Sequence, residues 1–427
     1  MSLSERFQDV RNGFHPTFWV ANGMELFERL AYYGQATILS IFLRNHLRFS
    51  EIEAGQISSI FGGLIYLLPI FAGTLADKYG FRKAFSFAFF VLAIGYFLIG
   101  STGMKVFAGL YGGLPLFWTL VPMVVLTAIG GSFIKPSVLG TVAVTSKPET
   151  KSIGYAIYYW LVNTGAALGP VIAYFVRDRF GIEFVYVVSA VSCAAMLVVN
   201  LLFYREVVDD GKPVVESIGT KMKNLVMVLG NMKFMVFLLI FSLYWIMFWQ
   251  LFIVVPYYIT DFIDKDAPFE IVLSTGAWCI IALQLVINAL TKHLAPKTAI
   301  LIGFAVSTMC WLIIAIHPSF WMIIAGIVVW SIGEMTQAPR YYEYISTLAP
   351  KGQQALFQGY AFLPIAIAWG FGGTFGGWLY ATYAKEAGKP EVVWIVLFAI
   401  GVVATLLMWL YNRIVMAQER RGAAAAQ

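Results

Sequence analysis

Charge is scarce in this chain. Of 427 residues only 12% are Asp, Glu, Lys or Arg, where a soluble domain carries roughly 25%. That shortage, with a mean hydropathy of +0.77, excludes a soluble globular fold and implies an integral membrane protein. Cysteine is rare too. Cys193, Cys279 and Cys310 fall in apolar stretches at unrelated spacings, which excludes a disulfide framework or a metal-ligand cluster. The four histidines, His15, His46, His293 and His317, all lie near the ends of predicted spans. No Ser-His-Asp set, histidine cluster or phosphate-binding glycine loop occurs, so no enzyme is expected. The formal charge of +6 does not point to nucleic acid, because the positive residues sit mostly in short loops, where they report topology. No cleavable signal peptide is read in the polar start MSLSERFQDVRNGFHP.

What is abundant is long apolar segments. A helix needs about 20 such residues to cross a bilayer, and long unbroken runs favour helices over a membrane barrel. Twelve spans are predicted, at 16–44, 52–76, 82–102, 115–144, 152–177, 183–204, 233–260, 270–292, 298–316, 319–347, 354–382 and 391–414. The polar stretch REVVDDGKPVVESIGTKMKN (205–224) separates six from six. The expected domains are therefore a bundle at 1–204, a cytosolic linker with some amphipathic helix at 205–232, and a bundle at 233–427. Lys78, Arg82, Lys83, Lys147, Lys151, Lys292, Lys297, Arg413, Arg420 and Arg421 share one side, which places both termini in the cytosol. The opposite loops carry Asp261, Asp264, Asp266 and Glu270 but also Arg44, Arg48, Arg177 and Arg179, so the bias is incomplete. The tail GAAAAQ reads as unstructured. Two six-helix halves joined in this way place a substrate site near the midplane between them.

The first span breaks the apolar rule. MELFERLAYYGQ (24–35) holds Glu25, Glu28 and Arg29. At 100° per residue these three share an arc of about 140° with Tyr32 and Tyr33, opposite Leu26, Phe27, Leu30 and Ala31. A charge at mid-bilayer costs roughly 2.5–3.5 kcal/mol, so the three are expected to line a cavity and to pair. An interhelical ion-pair staple and a ligand site both satisfy that demand. Lys135 lies within the fourth span, after Gly130-Gly131 and before Pro136, and needs a nearby carboxylate to stay charged. Asn163, beside Gly165 in the fifth span, fits an interhelical hydrogen bond as well as a ligand contact. Trp245, Trp249 and Gln250 share a face of the seventh span. Glu334 is the main intramembrane acid of the second half.

The loop GTLADKYGFRK (73–83), with Gly73, Asp77, Gly80, Arg82 and Lys83, resembles the signature loop of the major facilitator superfamily. It implies an all-α fold of twelve helices in two six-helix halves, with Asp77 and Arg82 as a gating latch. The corresponding turn NALTKHLAPK (288–297) carries no such latch. Within that superfamily the chain resembles the proton-dependent oligopeptide transporters. The resemblance rests on Glu25-x-x-Glu28-Arg29 with Tyr32-Tyr33-Gly34, on Tyr66, on GGSFIKPSV (130–138), on YYWLVNTGAALGP (158–170), and on GEMTQAP (333–339) with LAP (348–350). It implies a substrate site of Arg29, Tyr32, Tyr33, Tyr66, Lys135, Asn163, Trp245, Gln250 and Glu334. Arg29 and Lys135 would take a carboxylate and Glu334 an amino group, with Glu25 and Glu28 as proton carriers. The expected activity is proton-coupled symport of small zwitterions or carboxylates by alternating access, di- and tripeptides leading. The proton gradient would drive it without a cofactor, in a monomer in a bacterial inner membrane. A carrier or exporter of another organic anion or drug-like acid is the alternative.

Two departures matter. The family has an arginine late in its first helix and a glutamate in its seventh; Ala36 and Trp249 stand at those positions, so both charges are absent together. The tryptophan expected in the eleventh helix falls at Ala361, with Trp369 two turns further on.

Overall fold

The structure is a computed structural model and describes residues 13–207, 218–350 and 354–425. These residues form helices and no strand; Phe14 and Ser146 make one isolated bridge. Twelve principal helices follow in order: α1 (Pro16–Ile41), α2 (Glu51–Leu67 continued by Pro69–Tyr79), α3 (Phe81–Ser101), α4 (Leu116–Thr145), α5 (Lys151–Phe180), α6 (Glu183–Phe203), α7 (Met232–Tyr258), α8 (Phe269–Thr291), α9 (Pro296–Ile316), α10 (Phe320–Leu348), α11 (Leu363–Leu379) and α12 (Pro390–Ala425). Ten are long and apolar enough to cross a membrane, and α2 adds an eleventh path as a pair bent by 44°. The remaining helix, α1, has 26 residues, about 39 Å at 1.5 Å per residue. It carries Glu25, Glu28 and Arg29, as well as Asn22 and Gln35, within that length. The polar stretch after α6 contributes an amphipathic linker helix, Ile218–Leu229. The tail departs from expectation: α12 continues to Ala425, in keeping with the high helix propensity of its alanines.

The two sets of six pack by one scheme. Within the first, α1 packs on α5, α2 on α4, and α3 on both α4 and α6; within the second, α7 packs on α11, α8 on α10, and α9 on both α10 and α12. Each pairing thus recurs six helices later. The sets meet through α2 against α11, α5 against α8, and α1 against α7. We call the end of the bundle where α1 begins the near face and the end where it finishes the far face.

Two helix breaks position the site. α2 bends at Leu68, where Pro69 opens the next helix. α4 is interrupted at Phe133 between Leu116–Ser132 and Ile134–Thr145. Pro136 has no N–H to offer Ser132 and its ring crowds that carbonyl, so the turn carrying Lys135 is offset from the helix above it.

Candidate functional site

Arg29 is the centre of a buried charge cluster on α1. Its guanidinium bonds Glu28 Oε2, and its Nε lies 3.4 Å from Glu25 Oε1. Glu25 and Glu28 are almost wholly buried and Arg29 is 8% exposed. Tyr32 covers the guanidinium, with its ring centroid 4.7 Å from Arg29 Cζ. Glycine on α5 makes the approach possible: a Cβ on Gly165 would come within 2.4 Å of Arg29 Cβ. The α5 segment read from sequence as close-packing therefore seats Arg29. Tyr158 of the same helix is buried, its hydroxyl has no hydrogen-bond partner, and it lies within electrostatic reach of Glu25 and Arg29. Sequence reasoning quoted its segment without singling it out.

Lys135 faces this cluster from α4. It is within electrostatic reach of Glu25, Glu28 and Arg29 but forms no hydrogen bond or ion pair among the described residues. Its Nζ sits instead 4.3 Å from the ring centroid of Phe362, at the start of α11, and 5.8 Å from that of Tyr66 on α2. The ammonium thus lies between the halves. Tyr66 also adjoins Tyr32. Tyr33 is half-buried, within reach of Arg29 on one side and Glu334 on the other. Glu334 projects from α10, half-buried, with Tyr33, Tyr159 and Tyr244 around it and no ion pair among the described residues. Asn163 is half-buried and donates through Nδ2 to the Tyr159 carbonyl of its own helix (2.9 Å). Trp245 is half-buried with its indole N–H unpartnered. The structure therefore brings Arg29, Tyr32, Tyr33, Tyr66, Lys135 and Glu334 around one space between the halves.

Gln250 is a correction. It is fully buried, and its amide nitrogen, Nε2, donates to Gly372 O (3.0 Å) and Ile246 O (2.9 Å). It fills the contact of α7 with the glycine face of α11 and does not line the cavity. One residue of helical phase separates it from Trp249, and on a helix apolar all round, shared-face reasoning does not say which neighbour covers that face. Gln250→Ala is expected to lower the melting temperature, by loss of an interhelical hydrogen bond worth about 0.5–1.5 kcal/mol, while leaving substrate affinity unchanged; a thermal melt and a binding isotherm check both.

Trp249 stacks on Trp369 of α11 with ring centroids 3.5 Å apart and planes 20° apart. Trp369 Nε1 donates to Ser58 Oγ on α2 (3.1 Å), and Tyr66 lies 6.0 Å from both indoles. An aromatic layer joining α2, α7 and α11 occupies the level where the resembled carriers place an ion pair. Ala361 is buried and accepts a hydrogen bond from the Tyr341 hydroxyl through its carbonyl.

Above that layer, the far face is closed by charges, of which Arg44, Arg177, Asp261 and Glu270 are read from sequence only as loop residues. Arg44 forms a two-pronged pair with Asp261 across the halves (2.6 and 2.7 Å). Tyr380 donates to the same carboxylate (2.9 Å), Glu51 approaches Arg44 at 3.7 Å, and Lys385 approaches Glu51 at 3.1 Å. Arg177 of α5 pairs with Glu270 of α8 and donates to Ala267 O (3.0 Å). Asp261→Asn is expected to loosen this closure, seen as longer distances between spin labels on the α1–α2 and α7–α8 connections.

At the near face, the carboxylate of Glu206 accepts from the backbone N–H groups of Phe81 and Arg82 (2.8 Å each), and the Arg82 guanidinium donates to Leu201 O (2.6 Å). The turn after α2 is thereby tied to the end of α6. Asp77 is exposed on the last turn of α2. Glu206 was placed in the linker by its polar surroundings, and nothing in its local pattern signals that it caps α3.

Comparison with known proteins agrees with this architecture of two six-helix sets and a buried charge cluster on α1. The chain matches the Major Facilitator Superfamily over residues 24–267 and 265–426, and it belongs to that superfamily. It is 29% identical to dipeptide and tripeptide permease A of Citrobacter koseri over 47% of this chain and 39% of the permease, so it spans less than half of that relative's length. It is 23% identical to multidrug resistance protein MdtH of Klebsiella pneumoniae over 80% of this chain and 81% of that one. Among solved structures, a POT family transporter in complex with 5-aminolevulinic acid superposes with TM-score 0.74 at 19% identity, covering 93% of this chain and 96% of that one. The nucleoside transporter NupG gives 0.77 at 13%, covering 92% and 99%. The protein is a multi-pass membrane protein of that superfamily.

Proposed function

We propose that this protein is a monomeric, proton-coupled symporter of small zwitterions or carboxylates, with di- and tripeptides as the leading class, working by alternating access. The observation that carries the reading is Lys135, beside the Arg29 cluster and without an ion pair among the described residues, with Glu334 of the opposite half linked to the same cluster through Tyr33. Arg29 and Lys135 form an anion clamp in which Lys135, within electrostatic reach of Glu25 and Glu28, makes no hydrogen bond or ion pair among the described residues. Glu334 suits a substrate amine. Three carboxylates against two cations leave the cavity a formal charge of −1, which one proton neutralises.

Coupling follows from competition. A substrate carboxylate at Arg29 and Lys135 draws those cations away from Glu25 and Glu28. A buried carboxylate without its cation is held most cheaply in the protonated form, so substrate and proton bind together, and by linkage each favours the other. With the near face as the cytosolic one, the far-face latch and the Trp249–Trp369 layer close the external side in this conformation. Asp77, Arg82 and Glu206 belong to the cytosolic side.

Uptake into proteoliposomes with and without an inward proton gradient tests the reading. The gradient is expected to accelerate uptake in the wild type, and Glu28→Gln is expected to abolish the acceleration while counterflow of labelled substrate persists. Uptake indifferent to the gradient and unaltered by Glu28→Gln would sink it. A second reading, a carrier or exporter of another organic anion, is favoured by one observation: the aromatic stack that replaces the ion pair of the peptide carriers. A thermal-shift screen of peptides against single amino acids, sugars and drug-like acids separates the two.

A further inference from the structure

Glu28 has two oxygens and only one is used. Oε2 bonds Arg29, whereas Oε1 is buried with no hydrogen-bond partner. Beyond it, on the side of α1 that packs on α6, lie Tyr96 of α3 and Cys193 of α6, both fully buried and both within electrostatic reach of Glu28. The Tyr96 hydroxyl has no partner. Tyr186 of α6 is fully buried, lies within reach of Tyr96, and its hydroxyl has no partner either. The ring of Tyr186 packs on Phe42 at 4.8 Å, and Phe42 stacks on His46 at 5.5 Å. His46 Nε2 approaches Glu183, one turn before Tyr186, at 3.6 Å, and both side chains are partly exposed at the far face (32% and 17%).

An unpartnered buried hydroxyl costs roughly 1–3 kcal/mol, and one explanation of several such groups in file is internal water bridging them. Here the file has polar ends: a carboxylate inside and an imidazole–carboxylate pair at the surface. We propose that Tyr186 and Tyr96, joined by internal water, form a proton path from the far face to Glu28, within the first six helices and separate from the substrate route. A proton from far-side hydronium passes along the file, each tyrosine oxygen accepting one proton as it releases its own, and Glu28 ends as the carboxylic acid. Glu28 then equilibrates with far-side protons while the Arg44–Asp261 latch and the Trp249–Trp369 layer keep substrate out. Leak into the cavity is opposed by Arg29, whose fixed positive charge holds the other oxygen of the same carboxylate and repels a passing proton. The titratable groups facing Glu28 are Glu25 and Arg29 on α1, Tyr66 on α2, Tyr96 on α3, Lys135 on α4, Tyr158 on α5 and Cys193 on α6. Of these, Tyr96 alone continues to a second unpartnered hydroxyl leading to the far face.

The inference rests on the proton-coupled reading for its role, but its test does not. In oriented, substrate-free proteoliposomes, a drop in far-side pH is expected to raise the infrared carbonyl band of a protonated carboxylic acid in the wild type. That band should be absent in Glu28→Gln and slowed at least tenfold in Tyr96→Phe and Tyr186→Phe, which keep ring volume. Gradient-driven uptake should fall in parallel in both phenylalanine variants, while counterflow at symmetrical pH and the melting temperature stay at wild-type values. If Tyr96→Phe protonates at the wild-type rate, the path is overturned even where uptake is gradient-driven. If the wild type shows the band but no gradient response, the coupled reading fails and the path stands. If the wild type shows no Glu28-dependent band, the path is overturned.

Discussion

Arg29→Gln is expected to be the most damaging single substitution in the cavity. Arg29 is the only cation within ion-pairing distance of both Glu25 and Glu28 among the described residues, and each carboxylate is buried within a membrane-spanning helix. Breaking a buried pair by removing one partner costs about 3–5 kcal/mol, because an uncompensated charge remains. Here one cation serves two anions, so the loss falls at the upper end of that range. The expected result is a marked drop in melting temperature together with loss of substrate binding, read from thermal unfolding and a binding isotherm on purified protein. The control is a triple change, Glu25→Gln, Glu28→Gln and Arg29→Gln together. It removes the orphaned charges and is expected to recover stability without recovering binding. Recovery of both would show that Arg29 is only a staple. Arg29→Lys is expected to fall between, since a lysine ammonium keeps the charge but loses the fork that reaches both carboxylates.

Gly62→Val is the second large expected effect, and it acts on conformation. A Cβ on Gly62 would lie 1.9 Å from the Trp369 ring, at the seam where α2 meets α11. That ring has no room to give way. It is 1% exposed, stacked on Trp249 and bonded to Ser58. The same seam brings backbone against backbone at Gly55 and Gly373. Overpacking costs about 1–3 kcal/mol, and because it is imposed only on the state closed at the far face, it biases the open state by roughly 5–150-fold. Substrate should still bind from the far side while steady-state uptake falls, and spin-label distances across α2 and α11 should lengthen. Trp369→Ala in the Gly62→Val background is expected to restore closure in part.

These two predictions draw on different sources of information. The stripe of Glu25, Glu28, Arg29, Tyr32 and Tyr33 is legible in the sequence, because charges in an apolar helix must avoid lipid and helical periodicity fixes the side they leave by. Lys135 is legible for the same reason, as is the twelve-helix fold, since the bilayer imposes a minimum apolar length on every span. Gln250 was misplaced because α7 is apolar on all sides. With no polar stripe, its phase does not show which face meets α11 and which meets the cavity.

The far-face latch was illegible for a further reason. Arg44 and Asp261 are 217 residues apart, and each on its own is an ordinary loop charge. Glu206, read as linker, became the cap of α3 only when α6 returned beside α3. The sequence by itself determined the class of protein, its spans and the charges those spans must hide, because the cost of burying charge in lipid is paid locally, residue by residue. Only the tertiary structure decided what stands opposite each of them. Trp249 meeting Trp369, Lys135 without an ion pair among the described residues, and Glu28 opening toward Tyr96 all depend on which helices pack together, and that choice is made by close contacts between distant segments.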